Sequence, residues 1–316
     1  MNRLLSTTGL LLALTLGQTS FSWSQPTGSS TDSVPREKQS AAHVLTKLPI
    51  RLYGDYLLIA EGSIGNMHKL NFLLDTGACP SIVDQKIAHD LKLAEQLGRV
   101  NLWSKSVQTR QVVIPSLGLG PVHVESLPAL AEDLSFLQKA LGFKVHAIVG
   151  LDVLRKSSFT INYRTKEILF GSPENLTYSV PFETDTPVVT VRMGFQDRRL
   201  RMVVDSGGPD LTLFGSRMLG SIGLPILGTE TVADAGGTFQ RKKVRIPKLY
   251  IGNETVGAQI AFVVDDRKDS GDDFDGVLGV RGLQFWKVAF DFENRRFSWE
   301  LAVVGSTMTV GIYDDV

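Results

Sequence analysis

Leu73-Leu74-Asp75-Thr76-Gly77-Ala78 returns as Val203-Val204-Asp205-Ser206-Gly207-Gly208, with 130 positions from Asp75 to Asp205. Each copy is an apolar pair, an Asp, a small hydroxyl residue and a Gly. The apolar pair buries the end of a strand and aims the carboxylate. The Gly permits a tight turn and the close approach of a second backbone. A small hydroxyl can bond to main-chain groups across a two-fold interface and so lock two such turns together. Two carboxyls brought to about 3 Å cannot both ionise, so they share a proton, one serving as base and the other as acid. A site stated twice in one chain is suited to that chemistry.

The repetition extends beyond the two sites. Val112-Val113-Ile114-Pro115-Ser116-Leu117-Gly118-Leu119-Gly120 answers to Val244-Arg245-Ile246-Pro247-Lys248-Leu249-Tyr250-Ile251-Gly252, the prolines falling 40 and 42 residues after their Asp. Ile148-Val149-Gly150 answers to Val277-Leu278-Gly279, 35 and 32 residues further on. Each copy then closes on a strand pair, within Ser158 to Phe170 and Val288 to Trp299. Four landmarks in one order at near-equal spacing indicate duplication of a unit of about 125 residues, an ordinary domain length.

The local pattern is mostly β. Tyr56 to Glu61 and His68 to Leu74 read as strands around a turn at 62–66, and the second strand runs into Asp75. Val188 to Met193 and Arg198 to Val204 repeat this ahead of Asp205. In the latter, Leu200, Met202 and Val204 alternate with Arg199, Arg201 and Val203, as in a sheet with one wet face. Asp84 to Leu93 reads as a helix with Ile87, Ala88 and Leu91 on one face, and Ser216 to Leu224 as a weaker one. No βαβ rhythm is present, which argues against a Rossmann-type parallel sheet.

With 43% hydrophobic and 21% charged residues the composition is that of a globular protein, and 316 residues allow two cores. Lys plus Arg (33) equals Asp plus Glu (33), so no basic excess draws nucleic acid or anionic lipid. Arg3, the apolar run Leu10 to Leu16 and Ser22-Trp23-Ser24 give residues 1–24 the form of a secretory signal, too short an apolar run for a bilayer anchor. An uncleaved signal anchor is the alternative. Residues 25–49 read as a flexible lead-in, 50–178 and 179–302 as the two lobes, and 303–316 as a tail. The expected location is periplasmic or extracellular, with no membrane contact after signal removal. Cys79 is the only cysteine, so no intrachain disulfide can form.

The two Asp motifs, with Ile148-Val149-Gly150 and Val277-Leu278-Gly279, resemble those of the aspartic peptidases of the pepsin and retropepsin group. The resemblance covers about residues 50 to 302 and is closest to a fused tandem pair of retropepsin-like units. It implies an all-β fold with short helices and two similar lobes flanking an active-site cleft. By resemblance Asp75 and Asp205 form the catalytic dyad, Thr76 and Ser206 the hydroxyl lock, and Gly77 and Gly207 the turns. The activity implied is hydrolysis of peptide bonds in a peptide or protein substrate, without cofactor or metal, by a monomer containing an internal pseudo-dimer. The family's flaps map to Ala233 to Phe239 and to Leu102 to Gln108, with Trp103 a candidate substrate contact. Family members often carry Ser or Thr after the Gly; Ala78 and Gly208 lack that hydroxyl donor, which raises a carboxyl pKa and implies activity nearer neutral pH.

Other readings remain open at this level. Val204 to Pro209 also resembles the nucleophile segment of trypsin-like serine peptidases, and Ala41-Ala42-His43 its histidine segment, which would make Ser206 the nucleophile and His43 the base. That reading leaves the Asp75 copy unexplained. A catalytically inactive bilobal peptide-binding protein is a third possibility, and a dimer pairing sites between chains a fourth. His43, His68, His89, His123 and His146 show no metal spacing. Cys79 reads as a free, buried thiol. The Asp-rich stretch Asp265 to Asp275 reads as a solvated loop, and Arg241-Lys242-Lys243 with Arg245 as the wet face of a strand.

Overall fold

The structure is a computed structural model describing residues 45–101, 106–183, 186–194, 197–218, 223–234, 237–265 and 274–301. The expected signal, most of the lead-in, the tail, His43, Trp103 and Asp266 to Asp273 lie outside the described residues.

The first unit is built of β1 (Thr46–Tyr53), β2 (Leu57–Ile64), β3 (Met67–Leu74), β4 (Ile82–Asp84), α1 (Gln85–Asp90), β5 (Gln96–Asn101), β6 (Ser106–Leu119), β7 (Val122–Glu132), α2 (Ser135–Leu141), β8 (Ala147–Val149), α3 (Leu151–Leu154), β9 (Phe159–Asn162) and β10 (Glu167–Phe170). The second has β11 (Tyr178–Pro181), β12 (Val188–Met193), β13 (Arg198–Asp205), β14 (Leu211–Phe214), α4 (Gly215–Met218), β15 (Ile226–Asp234), β16 (Gly237–Ile251), β17 (Glu254–Val264), β18 (Gly276–Gly279), a 3-10 turn (Arg281–Leu283), β19 (Phe285–Asp291) and β20 (Arg296–Leu301). Strand for strand the two units correspond, in the order the sequence landmarks set. The fold is therefore mainly β, in two similar retropepsin-like lobes.

In each lobe the strand that carries the Asp lies parallel to the apolar-apolar-Gly strand. Leu73 pairs with Ile148 and Leu74 with Val149; Val203 pairs with Val277 and Val204 with Leu278. Where these strands pair, residues on both faces are apolar because both faces are covered. Leu58, Phe72 and Leu74 enter the main core, while Leu57, Ile59 and Leu73 enter a second cluster with Ile82 and Ile148. Val188, Val203 and Val277 form the second lobe's counterpart. The wet face expected on β13 is confined to its start, where Arg199 is exposed; Val203 is buried at its end.

The lobes share a six-stranded layer, β11-β20-β19-β9-β10-β1, whose centre is the antiparallel pair β9–β19 with Thr160 opposite Ala289. Phe159 packs on Phe290 at 5.0 Å between ring centroids, and Phe297 on Trp299 at 5.6 Å. β1 enters this layer at Thr46, within the stretch read as lead-in, opposite Phe170.

Two local expectations shift. The turn expected at 62–66 is confined to Gly65 and Asn66, because Ile64 is fully buried and pairs with Leu117 of β6. Gly62 serves close packing instead: a Cβ there would lie 2.1 Å from the Phe72 ring and 2.7 Å from the Gly118 carbonyl. The helix expected over Asp84 to Leu93 forms as α1, N-capped by Asp84, whose side chain accepts from the Lys86 N–H. In the second lobe α4 is a single turn, and residues 219–222 lie outside the described residues.

Candidate active site

β3 and β13 both end on the interface between the lobes, and their Asp residues emerge there side by side. Asp75 is fully buried and Asp205 is 4% exposed. The turn after each strand is folded back by its own Asp: the Gly77 N–H donates to Asp75 Oδ1 at 2.8 Å and the Gly207 N–H to Asp205 Oδ1 at 2.7 Å. Each Gly also sits against the other lobe's carboxyl. A Cβ on Gly77 would lie 2.6 Å from Asp205 Cγ, and one on Gly207 would lie 2.4 Å from Asp75 Cγ. No side chain larger than hydrogen fits at either place.

The hydroxyls lock the turns reciprocally. The Thr76 N–H donates to Ser206 Oγ and the Ser206 N–H to Thr76 Oγ1, both at 3.0 Å. Thr76 Oγ1 in turn donates to the Val204 carbonyl (2.8 Å), and Ser206 Oγ to the Leu74 carbonyl (3.3 Å). Beneath the first turn, the Asp75 N–H donates to Val149 O (3.0 Å) and the Leu151 N–H to Ala78 O (2.7 Å). Beneath the second, the Gly279 N–H donates to Asp210 O (3.0 Å) and the Gly282 N–H to Pro209 O (2.8 Å).

The electrostatics follow from this burial. Burial, and then the charge and hydrogen bond of Asp205, hold the Asp75 carboxyl well above the usual carboxylate range, against the Gly77 and Ala78 N–H groups. Burial also raises Asp205, opposed by the hydrogen bond from Asp75 and by the N–H groups of Gly207, Gly208 and Gly77. Among the described residues no donor reaches the buried Asp75 Oδ2. A proton held between the two carboxyls would satisfy it. The pair therefore titrates as a unit.

A family model described as aspartyl protease matches residues 60–153 and 189–281, one match on each unit and together more than half of the chain. The chain belongs to the aspartyl protease family. A search of curated proteins finds no match. Within this family member, the serine-peptidase alternative conflicts with the geometry, because Ser206 is 1% exposed and its hydroxyl is engaged on both sides of the lock. The flap expected over Ala233 to Phe239 coincides with the β15–β16 hairpin, where Asp234 pairs with Gly237. Of the stretch expected as its first-lobe partner, Leu102 to Gln108, residues 102–105 lie outside the described residues, and Ser106 to Gln108 begin β6 opposite β5.

Other expectations resolve individually. Cys79 is only partly exposed, and burial pushes its thiol up to about 11, which suits an unreactive group. His68, His89 and His123 are exposed, whereas His146 is half-buried and its Nδ1 accepts from the Asn71 N–H at 3.0 Å. Asp275 is structural, its carboxylate accepting from the Arg201 N–H at 2.8 Å.

Arg241 corrects an expectation. Its place in a run of basic residues marked it as solvated, yet it is 4% exposed while its neighbour Lys243 is exposed. It lies over the Phe262 ring, 3.5 Å from the centroid, and donates to Asp210 Oδ2 at 2.9 Å and to Glu230 Oε1 at 2.5 Å. Sequence reasoning also passed over Ser81 and Asp152. Ser81 Oγ donates to Asp152 Oδ1 (2.6 Å) and accepts from the Gly150 N–H (2.9 Å), supporting the first turn from below. The available signal was position: Asp152 follows the Ile148-Val149-Gly150 landmark by two residues. Tyr163 is a further one. Among the described residues its buried hydroxyl has no partner, and burial and then the Asp205 charge keep it protonated.

Proposed function

We propose that the protein is an aspartic endopeptidase of the retropepsin kind, a tandem pair of units acting as one monomer. The observation that carries this reading is the reciprocal Thr76–Ser206 lock, which presents two buried carboxyls face to face. In the singly protonated pair the ionised carboxyl takes a proton from a water, and the water oxygen attacks the peptide carbonyl carbon. The protonated carboxyl gives its proton to the carbonyl oxygen. Collapse of the tetrahedral intermediate breaks the C–N bond, with proton transfer to the departing amine, leaving an acid and an amine. The reaction needs only water. Because burial raises both carboxyls and no hydroxyl follows Gly77 or Gly207, the singly protonated state extends toward neutral pH. Export directed by residues 1–24 belongs to the same proposal.

The test is an unbiased peptide-library digest by the wild type and by Asp205→Asn across a pH series. Cleavage by the wild type, with kcat lowered by roughly 100-fold or more in the variant, is expected from loss of acid–base catalysis. Equal cleavage by the variant would remove Asp205 from the mechanism. A wild-type rate peaking at about pH 2–3, below an ordinary Asp pKa, would contradict the near-neutral expectation.

A further inference from the structure

The two lobes differ where each hairpin meets its catalytic turn. The registers place Thr109 of β6 at the position that Arg241 has on β16: Val83 and Ala131 match Leu213 and Val263, and their partners Arg110 and Lys242 follow. Gly98, opposite Thr109, then corresponds to Glu230, opposite Arg241. By the same register Pro80 corresponds to Asp210. The first lobe thus has Pro80, Gly98 and Thr109 where the second has Asp210, Glu230 and Arg241. All three charged groups belong to one lobe only, and in that lobe they are joined.

The join spans three elements. Glu230 sits on the hairpin's outer strand β15 and Arg241 on its inner strand β16. Asp210 closes the turn that starts at Asp205, and its backbone carbonyl accepts from the Gly279 N–H beneath that turn. The Arg241 side chain is 5% exposed, against 27% for Asp210 and 43% for Glu230. A guanidinium buried to that degree is costly unless its charge is met, and here two carboxylates and the Phe262 ring meet it. In the first lobe Thr109 turns its hydroxyl to Glu132 on β7, and so makes no such tie.

We propose that Arg241 is a positioning residue that tethers the β15–β16 hairpin to the Asp205 turn through charge, whereas the β5–β6 hairpin meets its turn through apolar packing of Val100 and Val107 near Ala78. Under the peptidase reading, on which the kinetic part rests, the tether keeps one wall of the substrate site assembled before substrate arrives. Loss of the tether then weakens binding more than it slows the chemical step.

Hydrogen exchange and kinetics on the full-length protein test this. Arg241→Met removes the tether, and Asp210→Asn weakens only its link to the turn, a milder change if Arg241→Met does not fold. Thr109→Val serves as the first-lobe control. Amide exchange over β15 and residues 237–246 is expected to be about tenfold faster in the Arg241 and Asp210 variants, with β5 unchanged, in line with local opening of a unit that has lost a buried contact. KM is expected to rise about tenfold with kcat within about twofold, the pattern of lost uniform binding. Arg241→Lys, which keeps the charge but not the two-pronged geometry, is expected to fall between. Unchanged exchange over β15, or equal acceleration in both hairpins, overturns the tether. Local acceleration with unchanged KM overturns its role in substrate binding. A wild type that cuts no peptide defeats the peptidase reading instead, and the exchange measurement still decides the tether.

Discussion

At the residue scale, the cost of placing Asp75 against Asp205 is a proton that the folded chain retains. In an unfolded chain an Asp gives up its proton near pH 3.9. In the folded pair, burial and the neighbouring carboxyl hold the Asp75 proton to higher pH. Between those two pH values the folded state binds more protons than the unfolded, so stability falls as pH rises. Asp75→Asn removes that dependence. Its Tm is expected to match the wild type near pH 4 and to exceed it by a growing margin toward pH 7, measured by thermal melts in a buffer series. A margin that narrows toward pH 7 would mean that burial does not raise this carboxyl. The lock residues behave differently, since Thr76 and Ser206 each satisfy a partner's N–H as well as a carbonyl, and neither bond involves an ionising group.

At the element scale, each Asp turn rests on a short apolar strand with a glycine at its end, Gly150 after β8 and Gly279 in β18. The Gly150 N–H donates to Ser81 Oγ, and a Cβ on Gly150 would lie 2.4 Å from the Ala78 carbonyl oxygen, a backbone atom that cannot swing aside. Gly150→Ala is therefore expected to displace the Asp75 turn. An overpacking cost of about 1–3 kcal/mol in stability should be visible as a lower denaturation midpoint, together with a larger loss of kcat than of thermal stability. The elements themselves were legible to different degrees. α1 is legible because Ile87, Ala88 and Leu91 follow a helical period. The β2–β3 turn is narrower than the sequence suggests, because Gly62 looks like a turn residue in sequence and is a packing residue in space. Arg241 looks solvated in sequence because its neighbours are basic; its partners are Asp210 of the turn after Asp205 and Glu230 of β15.

At the scale of the whole molecule, the two Asp turns meet because the Thr76–Ser206 lock and the shared six-stranded layer hold the lobes together. Phe290 is fully buried at the β9–β19 seam, packed on Phe159 and on Phe297 at 5.3 Å. Phe290→Ala is expected to cost about 3–5 kcal/mol, the usual range for a buried aromatic, read from denaturant unfolding. Because the cavity lies at the seam, activity is expected to fall at denaturant concentrations where each lobe keeps its secondary structure by circular dichroism. Taken alone, the sequence determined the duplication, the order of the landmarks within each unit, the two Asp turns and the apolar-glycine strands beneath them. Those features are local patterns of polarity and turn chemistry, and each is complete within a few neighbouring residues. The tertiary structure decided which atoms of the two turns bond across the interface, that both carboxyls are buried there, and that Arg241 bonds to Asp210 and Glu230. Each of these depends on groups far apart in the chain meeting at hydrogen-bond distance, and on water being excluded around them, which residue spacing does not encode.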